Sequence, residues 1–69
     1  MSARIFGTVT SLNAQRGFGF VQDEDGTYHF FHMSECRSAF KSLWIDARVS
    51  FRSQSTERGP RANDVCIAS

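Results

Sequence analysis

Short stretches of alternating apolar and polar residues run through this chain, the mark of strands with one face turned to a core. Residues 4–13 set Ile5, Gly7 and Val9 against Phe6, Thr8 and Thr10, which predicts a first strand with Ile5 and Val9 inward. Asn13-Ala14-Gln15 reads as a turn. A second strand is expected over 17–22 and a third over about 27–32, ending in Met33-Ser34-Glu35-Cys36, where a short helical turn fits. Residues 37–45 follow no clear period. In 47–53, Ala47, Val49 and Phe51 oppose Arg48, Ser50 and Arg52, the cleanest alternation in the chain. After a polar loop at 55–60, a fifth strand over 61–68 places Val65 and Ile67 on one side and Asp64 and Cys66 on the other. Five short strands without a long helix, a repeat or a low-complexity tract call for an all-β barrel, because closure removes most unpaired strand edges.

The second and third strands carry the unusual feature. Phe18 and Phe20 project from one face of the run Arg16-Gly17-Phe18-Gly19-Phe20-Val21, while Gly17, Gly19 and Val21 line the other. In Tyr28-His29-Phe30-Phe31-His32 the same count groups Tyr28, Phe30 and His32. The intervening Asp23-Glu24-Asp25-Gly26 is rich in turn formers and folds the two runs into an antiparallel hairpin, bringing the aromatic rows side by side.

Composition narrows what such a platform can do. Sixty-nine residues make one small domain, 1–69, burying only about 60% of its unfolded surface, so the core is modest. No apolar run approaches the roughly 18 residues of a membrane span, and residues 1–7 lack the apolar stretch of a signal peptide; a cytoplasmic protein is expected. The formal net charge is only +1, so no long-range electrostatic funnel is available and stacking has to supply much of any affinity for nucleic acid. Cys36 and Cys66 are expected as free thiols in a reducing compartment.

The residues resemble a bacterial cold-shock domain, in order and at nearly that family's spacing. The resemblance is carried by Gly7-Thr8-Val9, Asn13, the Arg16 to Val21 run, Phe30-Phe31-His32-Met33-Ser34, Phe40-Lys41-Ser42-Leu43, Val49-Ser50-Phe51 and Arg58-Gly59-Pro60-Arg61-Ala62-Asn63-Asp64-Val65. Residues 16–21 are similar to the family's first RNA-binding motif, and residues 30–33 match its second imperfectly. The resemblance implies a five-stranded antiparallel Greek-key barrel of the oligonucleotide-binding type.

Periodicity alone also fits the opposite arrangement, with Phe18, Phe20 and Phe30 as the core. A barrel this small has one interior, however, and Val9, Val21, Phe31, Val49, Phe51, Val65 and Ile67 already fill it. The other aromatic row is then left as an exposed patch of a kind that monomers rarely carry without a use. The resemblance decides the direction, since it implies that the matching rings, which in cold-shock domains lie outside and stack on bases, are the exposed row here. The expected nucleic-acid-binding set is Arg16, Phe18, Phe20, Tyr28, Phe30, His32, Met33, Phe40 and Arg58, with Phe40 as a further platform from the long loop. Arg48 and Arg52 read as an ordinary solvated strand face, and nothing in the pattern assigns Arg61.

Departures from the family predict weaker binding and a shifted base preference. Where the first strand of typical members reads K-W-F-N, this chain has Thr10-Ser11-Leu12-Asn13, so one cation and two rings are missing. Met33 replaces a ring with a polarizable thioether. Tyr28 stands where the family has an Asp, gaining a ring and losing a carboxylate.

The remaining candidates read as structural. His29, at a family Val position, is expected as a satisfied, half-buried histidine at the barrel end. His29, His32 and Cys36 spell H-x2-H-x3-C, but strand alternation separates the two histidines and no fourth ligand is evident, so no metal or cofactor is expected. Asp23, Glu24 and Asp25 read as a solvated acidic turn. No catalytic constellation or phosphate-binding glycine loop is present, and no enzyme activity is expected. The leading function is binding of single-stranded RNA or DNA, RNA foremost, by a monomer of RNA-chaperone or cold-shock type. The alternative is a diverged barrel with weak or no nucleic-acid binding, serving as a protein-interaction module through Trp44, which either caps the barrel end or stands exposed for a partner.

Overall fold

Strands form where the alternation is found, and two irregularities bend them into a barrel. The computed structural model describes residues 4–37 and 40–68. It contains β1 (Ile5–Asn13), β2 (Phe18–Asp23), β3 (Tyr28–His32), β4 (Arg48–Thr56) and β5 (Gly59–Ile67), with single 3-10 turns at Met33–Glu35 and Phe40–Ser42. The strands close in the order β1-β2-β3-β5-β4, giving the five-stranded all-β barrel of the oligonucleotide-binding type. Neighbouring strands pair antiparallel except β3 and β5, whose short parallel contact joins Phe30 to Arg61.

Val9 pairs with Val21 and Ser11 with Phe20, so Thr10 is an extra residue in β1. Its hydroxyl donates to the Phe20 carbonyl at 3.3 Å. On β5, Asp64 and Val65 together lie between the partners of Ser50 and Arg52, opposite the single residue Phe51. Asp64 takes the left-handed backbone, φ 54°, which Asp tolerates better than most side chains. Each insertion kinks its strand and shifts the inward phase by one. Val9 and Leu12 thus both reach the core side, as do Ala62 and Val65, at a spacing of three that simple alternation forbids.

The interior holds Val9, Val21, Phe31, Leu43, Ala47, Val49, Phe51, Ala62 and Val65, all buried, with Ile5, Leu12, Cys36, Phe40 and Ile67 packed at its rim. Every member of the expected core is there, Ile67 only partly covered. Gly19 makes room for Phe31: a Cβ at Gly19 would lie 2.9 Å from the Phe31 ring and 2.6 Å from the Ser11 carbonyl oxygen.

The expected polar loop at 55–60 is a tight hairpin. Ser55 pairs with Pro60 and Thr56 with Gly59, leaving only Glu57 and Arg58 to turn the chain. The Thr56 hydroxyl donates to the Gly59 carbonyl at 2.7 Å and accepts from the Arg58 amide at 3.2 Å. From Arg52 to Thr56 the strand is exposed throughout, so the backbone ladder continues where the side chains no longer alternate.

Asp23 is no solvated turn residue. Its carboxylate accepts from the Asp25 and Thr27 amides at 2.9 and 3.0 Å and meets Nε2 of the buried His29 at 2.8 Å. A carboxylate only accepts, so Nε2 carries the proton. The His29 ring lies 5.0 Å from that of Phe51, and Ser53 Oγ is 3.5 Å from Nδ1. The histidine is more deeply covered than the half-buried site expected. The hydrogen bond from His29, with those from the two amides, outweighs desolvation and holds the Asp23 carboxyl below its ordinary pKa.

A second polar cluster ties the start of the chain to β4 and β5. Arg4 donates to Ser50 Oγ at 3.0 Å, to the Ser50 carbonyl at 2.8 Å and to the Asp64 carboxylate at 2.9 Å, while Arg37 reaches the other Asp64 oxygen at 2.6 Å. Desolvation of the Asp64 carboxyl works against its ionisation, but the Arg4 hydrogen bond and the Arg37 charge prevail and hold it low.

Two outcomes are expected. Gly19→Ala should cost about 1–3 kcal/mol through overpacking against Phe31 and backbone, read as a lower urea midpoint at unchanged slope. Asp23 and Asp64 are both depressed in the folded state, so their contribution is full above the ordinary carboxylate value near 4 and is lost as pH falls toward their folded values. Thermal melts from pH 6 to pH 2.5 should show that loss, and Asp23→Asn should shrink it; an unchanged acid profile in the variant would remove Asp23 from the account.

Candidate nucleic-acid interface

With Phe31 inside the barrel, its neighbour Phe30 points out. Register sets Phe20 opposite Phe30 and Phe18 opposite His32. The three phenylalanine rings form one cluster, Phe18 to Phe30 at 5.6 Å between centroids, Phe20 to Phe30 at 5.8 Å and Phe18 to Phe20 at 6.5 Å. The first pair is tilted by 31° and the other two are edge-on. All three are half-buried, and none belongs to the core or its rim.

The other expected members surround this cluster unevenly. Tyr28 is exposed and pairs with Gln22 next along the hairpin. His32 is half-buried, and its Nδ1 accepts from the Ser34 amide at 3.2 Å and lies 2.9 Å from Ser34 Oγ, capping the 3-10 turn and fixing the ring. Met33 is exposed and lies against Gly17, whose left-handed backbone (φ 73°) leaves no space for a side chain: a Cβ there would sit 2.5 Å from the Met33 sulfur. Arg16 is exposed in the β1–β2 turn. Arg58 lies at the tip of the β4–β5 hairpin.

Phe40 departs from the free platform expected of it. Its ring is half-buried, packs on the core 6.0 Å from Phe31, and gives one edge to a cleft of about 400 Å³ shared with Leu12, Ala14, Met33, Lys41 and Leu43. A second cleft, about 630 Å³, opens at the other end of the aromatic cluster between Phe20, Phe30, Arg58, Pro60 and Arg61. Arg61, which the pattern left unassigned, adjoins the cluster: its guanidinium carbon lies 5.6 Å from the Phe30 centroid. No sequence signal pointed to it, because a pairing of residues 30 and 61 is set by barrel closure alone.

β1 offers no ring to this face. Ser11, opposite Phe20, is exposed, and Leu12 turns to the core. Trp44 is 55% exposed and Ile45 49%, so the indole stands out from the barrel and does not cap it. Arg48 lies over the exposed Phe6, 5.6 Å from its centroid. Among the described residues no cluster of His, Cys, Asp or Glu is arranged to hold a metal ion. Cys36 and Cys66 are both free, and burial, aided by the Glu35 charge, pushes the Cys36 thiol up to about 11.

Over residues 5–68 the chain matches the family described as the 'Cold-shock' DNA-binding domain, and it belongs to that family. It is 42% identical over 60 residues to cold shock protein 1 of Lactiplantibacillus plantarum, covering 86% of this chain and 91% of that protein. Cold shock protein CspC of Bacillus subtilis is 43% identical over the same length and share. In structure, the chain is similar to drosophila Unr CSD456, with a TM-score of 0.81 and 28% identity; the match covers 99% of this chain but only 28% of that longer one. Proteins of this family bind nucleic acid and are not enzymes. No helix among the described residues is long and apolar enough to cross a membrane.

Moving a thiol from its ordinary value near 9 to about 11 lowers its thiolate fraction about a hundredfold at pH 8. Cys36 in the folded protein should therefore be alkylated by iodoacetamide far more slowly than in urea, a difference that peptide mass spectrometry resolves. Equal rates would show that the thiol is not shielded.

Proposed function

We propose that the protein binds single-stranded nucleic acid by stacking successive bases on Phe18, Phe20 and Phe30. One observation carries the reading: three mutually packed rings stand outside a barrel whose interior is already full. Every base has a π-face, so such a surface accepts many sequences, and each stacked base contributes about 1–3 kcal/mol. Tyr28 extends the row, His32 offers a fixed ring edge, and the Met33–Phe40 cleft receives a base at one end. Arg16 and Arg58 meet phosphates.

Stacking is indifferent to the sugar. RNA is taken as the working ligand on the strength of the motifs at 16–21 and 30–33, with the protein acting in the cytoplasm as a monomeric chaperone that holds bases apart and unpaired. Lacking rings at positions 11 and 12 of β1, it binds more weakly than a member of its family that keeps them. The exposed Trp44–Ile45 pair favours a second reading, in which this turn docks a partner protein.

Titrating short oligo-dT and oligo-rU tests the proposal. Phe30→Ala, whose ring lies outside the core, should keep the fold by circular dichroism and weaken binding by about 5- to 150-fold, the equivalent of one lost stack. Chemical-shift changes at Phe18, Phe20 and Phe30 on adding a pyrimidine oligonucleotide are expected. Silence there would sink the stacking reading and leave the Trp44 surface in its place.

A further inference from the structure

We infer that Arg61 is a fourth stacking surface of this interface, one that carries the bound strand off β1 and over the β4–β5 hairpin. The inference rests on the stacking reading above and adds to it both a residue and a direction.

On the β1 side of the cluster the outward position opposite Phe20 is Ser11, and Leu12 is drawn into the core. A base leaving Phe20 in that direction meets no flat surface. Across β3 the situation is reversed. The parallel contact sets Arg61 beside Phe30, and its guanidinium lies 5.6 Å from the ring centroid. Phe18 approaches the same ring from β2 at 5.6 Å. Phe30 is therefore flanked by a ring on one neighbouring strand and a cation on the other, and the Arg61 guanidinium extends the cluster onto β5.

The charge on Arg61 is uncommitted. Among the described residues the ion pairs of arginine with carboxylate all converge on Asp64, from Arg4, Arg37 and Arg52, and none involves Arg61 or Arg58. Glu57 also lines the hairpin cleft, so two arginines and one glutamate border about 630 Å³ beside Phe20 and Phe30. A nucleotide suits this chemistry: its base lies flat against a guanidinium plane, and its phosphate accepts the in-plane N–H groups of the other. Lysine keeps the charge but has no plane, which makes the substitution informative.

Arg61→Ala should keep its melting profile and weaken binding of a six-nucleotide oligo-dT by roughly five- to tenfold, within the range for cation–π and base-stacking contacts. Arg61→Lys should recover less than half of that loss on a logarithmic scale. In the wild-type protein the amides of Thr56, Gly59 and Arg61 should shift on binding, while those of Thr10 and Ser11 should not. Unchanged or tighter binding by Arg61→Ala overturns the inference, as does full rescue by lysine, which would make Arg61 a simple phosphate contact. Shifts at Thr10 and Ser11 with a silent hairpin overturn the direction. Phe30→Ala separates the two levels: if it weakens binding while Arg61→Ala does not, stacking stands and only Arg61's part falls, whereas a neutral Phe30→Ala removes both.

Discussion

Phe31 fills the barrel directly over Gly19, and the outward face depends on that close approach. Strand geometry sends adjacent side chains to opposite faces, so seating Phe31 inside forces Phe30 out. Pairing across the hairpin then brings Phe30 against Phe18 and Phe20. With nine of the described residues sealed into the interior there is no room for a second aromatic row. The surface rings are thus a consequence of core volume as much as of ligand chemistry. They lie partly against one another, which limits the apolar area left to water.

Much of this was legible from alternation. The five strands and the inward set from Val9 to Val65 follow from period-two counting, while the outward direction of the phenylalanine cluster needed the limit of one interior together with the family resemblance. The parts that were not legible share a cause, which is dependence on partners far away in sequence. Thr10 and Asp64 each add a residue to a strand, and nothing local marks either as an insertion. The far half of the β4–β5 hairpin has no inward side chains, so its pairing left no apolar signal. Asp23 looks like part of an acidic turn because nothing in the sequence shows that the buried His29 ring meets its carboxylate. Arg61 could not be placed without knowing that β3 and β5 meet.

Charge follows the same logic. A chain with a net charge of +1 looks electrostatically bland, yet its acids and bases are sorted in space. Asp23, Glu24 and Asp25 share the β2–β3 turn, and Asp64 gathers Arg4, Arg37 and Arg52 on the β4–β5 side. Arg58 and Arg61 remain beside the aromatic cluster, with Glu57 the one acid among the described residues that line their cleft. A near-zero total thus coexists with a locally cationic edge where a polyanion would lie.

The hairpin joining β4 and β5 projects past the buried interior while forming one wall of the cleft beside Phe30. Side chains at its tip therefore contribute little to holding the barrel together and much to what the cleft can accept. Recognition and robustness are in this way assigned to different atoms, and ligand preference is free to drift over generations without endangering the scaffold.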